Sequence, residues 1–139
     1  MGVAGGLSSA GSFGKSGSRT VRAVLKHRQG RFSQRDPESA ASRAYYALYH
    51  MTVLLLRVVR GIERDRWDHD QLLNTFLHEF CRLHFKFSRS DGEDWAYVLR
   101  TRFMADYGRD PLTRRRAQRS VERAERLVNK MLLEIAGDA

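Results

Sequence analysis

The chain has 139 residues, of which 25 are Lys or Arg and 16 are Asp or Glu, so its formal net charge is +9 at neutral pH. This length suits one domain with one hydrophobic core. A single cysteine, Cys81, excludes an intramolecular disulfide and favours a reducing compartment. No apolar run approaches the roughly 18 residues that cross a bilayer, so we expect a cytoplasmic protein without a membrane span. A basic domain favours phosphate backbones or acidic proteins as partners.

The first 35 residues offer little to a hydrophobic core. Residues 1–18 are rich in Gly and Ser and are predicted to be disordered, whereas residues 19–35 are predicted to form a short helix and a linker. The segment "SAGSFGKS" resembles a phosphate-binding loop, but Ser9 replaces the first glycine and no strand precedes it. We predict no nucleotide site here.

The first strong helix signal begins at Asp36, a capping residue that is followed by Pro37 at the first helical position. From there, apolar residues recur at spacings of three and four until Gly61, which predicts an amphipathic helix of about 25 residues.

This helix contains the stretch "SRAYYALYH", which places Arg43 and His50 two turns apart and therefore along one side. Two interpretations are open. In the structural one, Arg43 reaches an acid on a neighbouring helix and the tyrosines bury their rings. In the functional one, Arg43 holds a phosphate and His50 transfers a proton.

Three more amphipathic helices follow. The second begins at Asp68 with Gln71 in the capping-box position, the third is "DWAYVLRTRFMADYG" and ends at Gly108, and Thr113 caps the last. No segment shows a convincing alternating pattern. The predicted fold is all-α: an up-and-down four-helix bundle over residues 36–137, to which the short N-terminal helix could add a fifth.

Two patterns on the second helix resemble metal sites but are incomplete. The segment "HEFCR" has Arg82 where the zinc-protease motif needs a second histidine. His78, Cys81 and His84 fan over about 120° of the helix, which is too wide to converge on one ion. We predict no metal and no cofactor.

A basic stripe, defined as Arg119, Arg123, Arg126 and Lys130, lies opposite the apolar face of the last helix. Such a stripe could track a phosphate backbone. It could equally be a solvated face, in which Glu122 pairs with Arg126 one turn later.

Two of these segments resemble a known family. "ASRAYYALYH" in the first helix and "RTRFMADYG" at the end of the third resemble the HEPN superfamily of small helical bundles, in particular a small prokaryotic branch with an "RAYYA" helix and an "ADY" ending. The resemblance covers residues 36–136. It implies an up-and-down bundle, commonly a homodimer. Many members are metal-independent RNases that act as toxins paired with a nucleotidyltransferase antitoxin, or in defence systems.

The resemblance also implies where the active residues would be. Active members carry an arginine that steadies the phosphate and, about four to six residues later, a histidine that assists attack of the ribose 2′-hydroxyl. Alignment on Tyr107 places Arg100 at the arginine and Ala105 at the histidine. Arg102 could replace Arg100, but no histidine follows it. Because a methyl group cannot transfer a proton, we predict that the usual RNase reaction is absent.

The arginine of "RAYYA" and the aspartate of "ADY" are placed to meet across helices in this branch. The resemblance therefore implies a partly buried ion pair between Arg43 and Asp106 that fixes the register of two helices.

The predicted function is binding of RNA or of a nucleotidyltransferase partner by a homodimer, in a toxin–antitoxin or defence setting. One alternative is an active RNase in which His50 works with Arg43 or Arg100. Another is a pure protein-interaction module, in which a partner modifies Tyr107. The predicted binding residues are Arg43, Arg100, Arg102, Tyr107, Arg119, Arg123 and Arg126.

Overall fold

The computed structural model describes residues 36–83 and 86–138, so the tail and short helix predicted for residues 1–35 lie outside the described residues. It contains four α-helices and one π-helical segment, Leu77–Leu83, which continues the second helix. The described ranges contain no strand, and the all-α prediction is confirmed. The helices are α1 (Pro37–Arg60), α2 (His69–Phe76), α3 (Arg89–Tyr107) and α4 (Arg114–Asp138).

Both predicted ends of α1 are confirmed. Asp36 caps the start, where its carboxylate accepts the Ser39 N–H at 2.7 Å. Gly61 ends the helix in the left-handed conformation with φ of 67°, and the N–H groups of Gly61 and Ile62 donate back to carbonyls of the last turn. Glycine suits this position because a Cβ is strained at positive φ.

The predicted start of α2 is confirmed, but the helix changes type after Phe76. Asp68 accepts the Gln71 N–H, and the Gln71 side chain accepts the Asp68 N–H, which completes the capping box. The π-helical turns from Leu77 onward were not predicted, because apolar spacing alone does not distinguish α from π hydrogen bonding.

The start of α3 differs from the prediction by five residues. The sequence places it at Asp94, but the helix begins at Arg89 with Ser88 as its cap. Ser88 and Asp91 form a capping box, in which each side chain accepts the other residue's N–H. Gly92 suggested a loop, yet it lies within the helix, where a Cβ would stand 2.4 Å from the Leu77 side chain. The glycine permits close packing of α3 on the π-helical segment.

The core lies between all four α-helices and the π-helical segment, which contributes Phe80, and α1 and α4 share the most extensive interface. One buried polar contact links α1 to α3: Trp95 Nε1 donates to Thr52 Oγ1 at 2.9 Å, and Thr52 Oγ1 donates to the Leu48 carbonyl. Within the described ranges, no helix is both long enough and apolar enough to cross a membrane.

A smaller apolar cluster closes the end of the bundle where α1 and α4 begin and α3 ends. It consists of Ala41, Leu112 and Ala117, with Ala105 packed against it. Glu38 accepts the Leu112 N–H at 2.9 Å and so fixes the α3–α4 connection to the first turn of α1.

Candidate functional site

Arg100 and Tyr107, which the HEPN resemblance aligns with that family's arginine and tyrosine, lie on the solvent side of α3. Met104 lies between them, and spacings of four and three residues put all three side chains along one stripe. Tyr107 is 74% exposed and stacks on Phe103 at 6.0 Å between ring centroids. An arginine and an aromatic ring are therefore accessible together near the end of α3.

Ala105, where the family has its histidine, faces a different direction. Five residues after Arg100 correspond to a rotation of about 140° around the helix, and the Ala105 methyl packs against the cluster of Ala41, Leu112 and Ala117. In this chain, the histidine position does not share a face with Arg100. Position 105 therefore has no imidazole, and its surroundings are apolar.

Arg102 lies in a cage of aromatic rings between α1 and α3. Its guanidinium carbon is 5.0 Å from the Tyr45 ring centroid, 5.2 Å from that of Tyr46 and 5.8 Å from that of Phe103. Arg102 Nη2 donates to the Tyr46 hydroxyl at 2.9 Å and lies 3.3 Å from Asp106 Oδ2. Only 16% of the side chain is exposed, so this predicted binding residue holds two helices together instead.

The predicted Arg43–Asp106 ion pair is not formed. Asp106 instead pairs with Arg102 and accepts a hydrogen bond from Ser42 Oγ at 3.3 Å. Arg102 precedes Asp106 by one turn on the same helix, so their pairing requires little extra ordering. The helices that carry "RAYYA" and "ADY" do meet at this point, through Ser42 with Asp106 and Tyr46 with Arg102.

His50 packs against tyrosines of its own helix. Its ring stacks on Tyr46 at 6.3 Å and meets the Tyr49 ring edge-on at 5.3 Å, while part of it stays open to solvent. Partial burial lowers the pKa of His50, which favours the neutral imidazole at neutral pH. Its described contacts include neither Arg43 nor Arg100, so the structure does not bring the alternative catalytic pair together.

The α3–α4 seam is a row of polar and charged contacts between these two helices. Arg126 Nη2 donates to Asp94 Oδ2 at 2.9 Å, and Arg123 Nε lies 3.6 Å from Asp94 Oδ1. Lys130 pairs with Asp91 in the next turn. The residues of the seam are Asp91, Asp94, Tyr97, Thr101, Arg116, Arg123, Arg126 and Lys130.

The contacts of the α3–α4 seam contradict both interpretations of the basic stripe, the phosphate-binding surface and the solvated face. Three of its four members are held by carboxylates of α3, so the stripe is neither a free phosphate track nor merely a solvated face. Arg126 bonds Asp94 on α3 and not Glu122 on its own helix. Only Arg119 of the stripe lacks an acidic partner among the described residues.

Tyr97 is a residue that the sequence did not single out. The guanidinium carbons of Arg116 and Arg123 lie 4.0 and 3.9 Å from its ring centroid, and Arg116 Nε donates to Thr101 Oγ1 at 2.9 Å. The only sign of this site in the sequence was the seven-residue spacing of Arg116 and Arg123, which puts both on one side of α4. Arg116 has no acidic partner in the part of the chain that the structure describes.

Several arginines without an acidic partner among residues 36–83 and 86–138 gather where α3 ends and α4 begins. The first turn of α4 carries three of them and no acid, which opposes the helix macrodipole. Acidic residues are the usual choice at a helix N-terminus, and exceptions to such local preferences are expected at functional sites. We call this group the basic end; its members are Arg100, Arg109, Arg114, Arg115, Arg116 and Arg119.

One group in the described residues has the donor types of a metal site. Ligand atoms of Asp68, His69 and Asp70 lie within 4.8 Å of one another. The Asp68 carboxylate already accepts the N–H groups of Asp70 and Gln71 as a helix cap, and the carboxylates are exposed. We assign no metal to it.

No known protein-family model matches this chain, and no curated protein matches it. The HEPN resemblance therefore depends on the two motif segments and their positions on α1 and α3.

Proposed function

We propose that this protein is a HEPN-like helical bundle that binds RNA at its basic end and lacks the RNase reaction usual in that superfamily. The observation that carries the proposal is the basic end itself: its arginines have no acidic partner among the described residues, and Tyr107, the last residue of α3, exposes its ring in the same part of the chain. Elsewhere in the α3–α4 seam, carboxylates neutralise the positive charge.

The chemistry of these side chains fits RNA. Guanidinium groups bind phosphate oxygens in bidentate fashion, and the N-terminus of α4 adds the positive end of its dipole. An exposed tyrosine ring offers a face on which an unstacked base can lie. Of the predicted binding residues, Arg100 and Arg119 belong to the basic end, and Tyr107 is exposed at the end of α3, so these three fit this role. Arg43, half-buried on α1, lies outside the basic end.

The absence of catalysis is supported by the position of Ala105. Its side chain is apolar and packs into the small cluster at the end of the bundle, so no proton donor stands at the family's position. We propose the homodimeric state and the toxin–antitoxin or defence setting on the resemblance alone.

A second candidate has one specific observation in its favour. The Tyr107 hydroxyl sits on a side chain that is 74% exposed at the end of a helix, where a nucleotidyltransferase partner could reach it. Incubation with such an enzyme and a labelled nucleotide, followed by mass mapping, tests it. Label on Tyr107 supports this candidate, and label absent from Tyr107 removes it.

RNA binding is tested by fluorescence anisotropy with a labelled single-stranded RNA over a range of salt concentrations. We expect Arg114→Gln/Arg115→Gln to weaken binding and to reduce the slope of log K against log salt by about 0.7 for each phosphate that the protein no longer neutralises. The control is Arg82→Gln/Arg89→Gln, which removes the same charge from side chains outside the basic end. Equal reductions in affinity from both pairs would show a non-specific charge effect and contradict the proposal.

Catalysis is tested separately with the same RNA in the presence of a chelator. We expect the wild type to leave the RNA intact. Cleavage that His50→Ala abolishes would establish the alternative RNase instead.

A further inference from the structure

The arginines of α4 continue beyond the basic end. Arg116, Arg119, Arg123 and Arg126 recur at spacings of three and four, so they follow one side of the helix. The row extends over about 15 Å at 1.5 Å per residue, which is long enough for more than one phosphate of an extended strand.

Asp94 interrupts this row. Its side chain is only 14% exposed, and its two carboxylate oxygens face two different arginines: Oδ1 faces Arg123 and Oδ2 accepts a hydrogen bond from Arg126. Arg123 is held further by the Tyr97 ring at 3.9 Å. One carboxylate therefore engages both distal arginines and places its negative charge beside them.

We infer that Asp94 sets the length of the RNA site, because it withholds Arg123 and Arg126 from the phosphate backbone. This inference rests on the RNA binding proposed above and adds Asp94 as the residue that limits the length of the RNA site. A phosphate near Arg126 must compete with a carboxylate already bonded to it and is repelled by the charge of that carboxylate. RNA contacts then end near Arg119.

Glu93 provides a matched control on the same helix. It precedes Asp94 directly and carries the same charge, but its side chain is 68% exposed and pairs with Arg89 of its own helix. Removing the Glu93 charge changes the net charge of the protein as much as removing that of Asp94, yet it releases no arginine of α4.

The test compares Asp94→Asn with Glu93→Gln in the salt-dependent anisotropy assay. We expect Asp94→Asn to bind RNA more tightly than Glu93→Gln and to steepen the salt slope by about 0.7 per released arginine, or about 1.4 for two. If the two variants have equal affinity and equal slopes, or if Asp94→Asn binds more weakly than the control, the inference is overturned.

The wild-type half of a second comparison does not depend on Asp94→Asn folding. In the wild-type background, Arg126→Gln is expected to leave RNA affinity and salt slope unchanged, while Arg119→Gln reduces both. In the Asp94→Asn background, Arg126→Gln is expected to remove about half of the gain in salt slope, because Arg123 stays released. An equal reduction in affinity from Arg126→Gln and Arg119→Gln in the wild type would overturn the inference.

The failures of the two proposals are distinguishable. If the wild type binds no RNA, RNA binding and its limit by Asp94 fall together. If the wild type binds RNA and Arg114→Gln/Arg115→Gln weakens it, but Asp94 behaves like Glu93, only the limit by Asp94 is wrong.

Discussion

Ala105 has no group that can transfer a proton, and its surroundings are apolar. Its methyl group packs against Ala41, Leu112 and Ala117, and Arg100 points to solvent on another side of α3. Restoring the histidine alone therefore does not rebuild an active site within this chain.

We expect Ala105→His to lower the free energy of unfolding by about 1–3 kcal/mol, because an imidazole overfills a small apolar cluster, and to leave RNA uncleaved. Met104→His is the matched control: it adds the same side chain to an exposed position of α3 and should change stability by less than about 0.5 kcal/mol. Urea denaturation and the RNA assay measure both. Cleavage of the RNA by Ala105→His would show that a histidine at position 105 can transfer a proton in this chain, and it would contradict this prediction.

Asp91 is the carboxylate whose ionisation most clearly depends on folding. Burial raises its pKa, but the hydrogen bond from Lys130 and those from Ser88 outweigh burial, so its pKa lies below the ordinary value of 3.8. A carboxyl group with a lowered pKa stabilises the fold above its ordinary pKa. This contribution is lost as the pH falls through the folded pKa.

The stability difference between wild type and Asp91→Asn should therefore be largest near neutral pH and shrink as the pH falls below 3.8. Urea denaturation at stepwise lower pH measures it, with Glu93→Gln as the exposed control. A difference that stays constant or widens in acid would contradict this role of Asp91.

At the scale of the elements, the end of α1 depends on a glycine and the end of α4 does not. Gly61 has φ of 67°, whereas a Cβ on Gly137 would meet nothing within 4 Å. We expect Gly61→Ala to cost about 1 kcal/mol of stability and Gly137→Ala to be neutral or slightly stabilising, since alanine is the better helix former. Thermal or urea unfolding compares them, and equal effects would show that the left-handed cap is unimportant.

Helix ends that depend on neighbours in sequence were predictable. Asp36, Gly61, Asp68 and Thr113 act through side-chain or backbone bonds within a few residues, and all four occupy the predicted cap positions. The start of α3 was missed because Gly92 is read as a loop residue unless its packing on Leu77 is known. Long-range packing, not local propensity, decides that boundary.

Tyr107 and Arg100, which the sequence predicts as binding residues, are exposed, and their role in binding stays a prediction. The predicted partner of Asp106, Arg43, was wrong, although the neighbouring Ser42 does bind Asp106. The spacing of four residues between Arg102 and Asp106 was a local signal for this ion pair. Whether Arg43 also reaches Asp106 depends on the rotation of α1 against α3, which the sequence does not show.

At the scale of the whole molecule, the distribution of charge indicates the binding surface better than the net charge of +9 does. Asp91 and Asp94 neutralise one end of the α3–α4 seam, and no described acid neutralises Arg116 at the other. A sequence shows how many arginines there are, but it does not show which of them pair with acids of α3. The predicted RNA-binding surface is therefore the basic end and not the whole basic stripe.

Ultraviolet crosslinking of bound RNA to the wild-type protein, followed by mass spectrometry of the attached peptides, tests the central claim most directly. We predict crosslinks within residues 100–119, with Tyr107 as the principal site because its ring is the exposed aromatic group there. Crosslinks concentrated on Tyr46 and His50, with none in residues 100–119, would contradict an RNA site at the basic end.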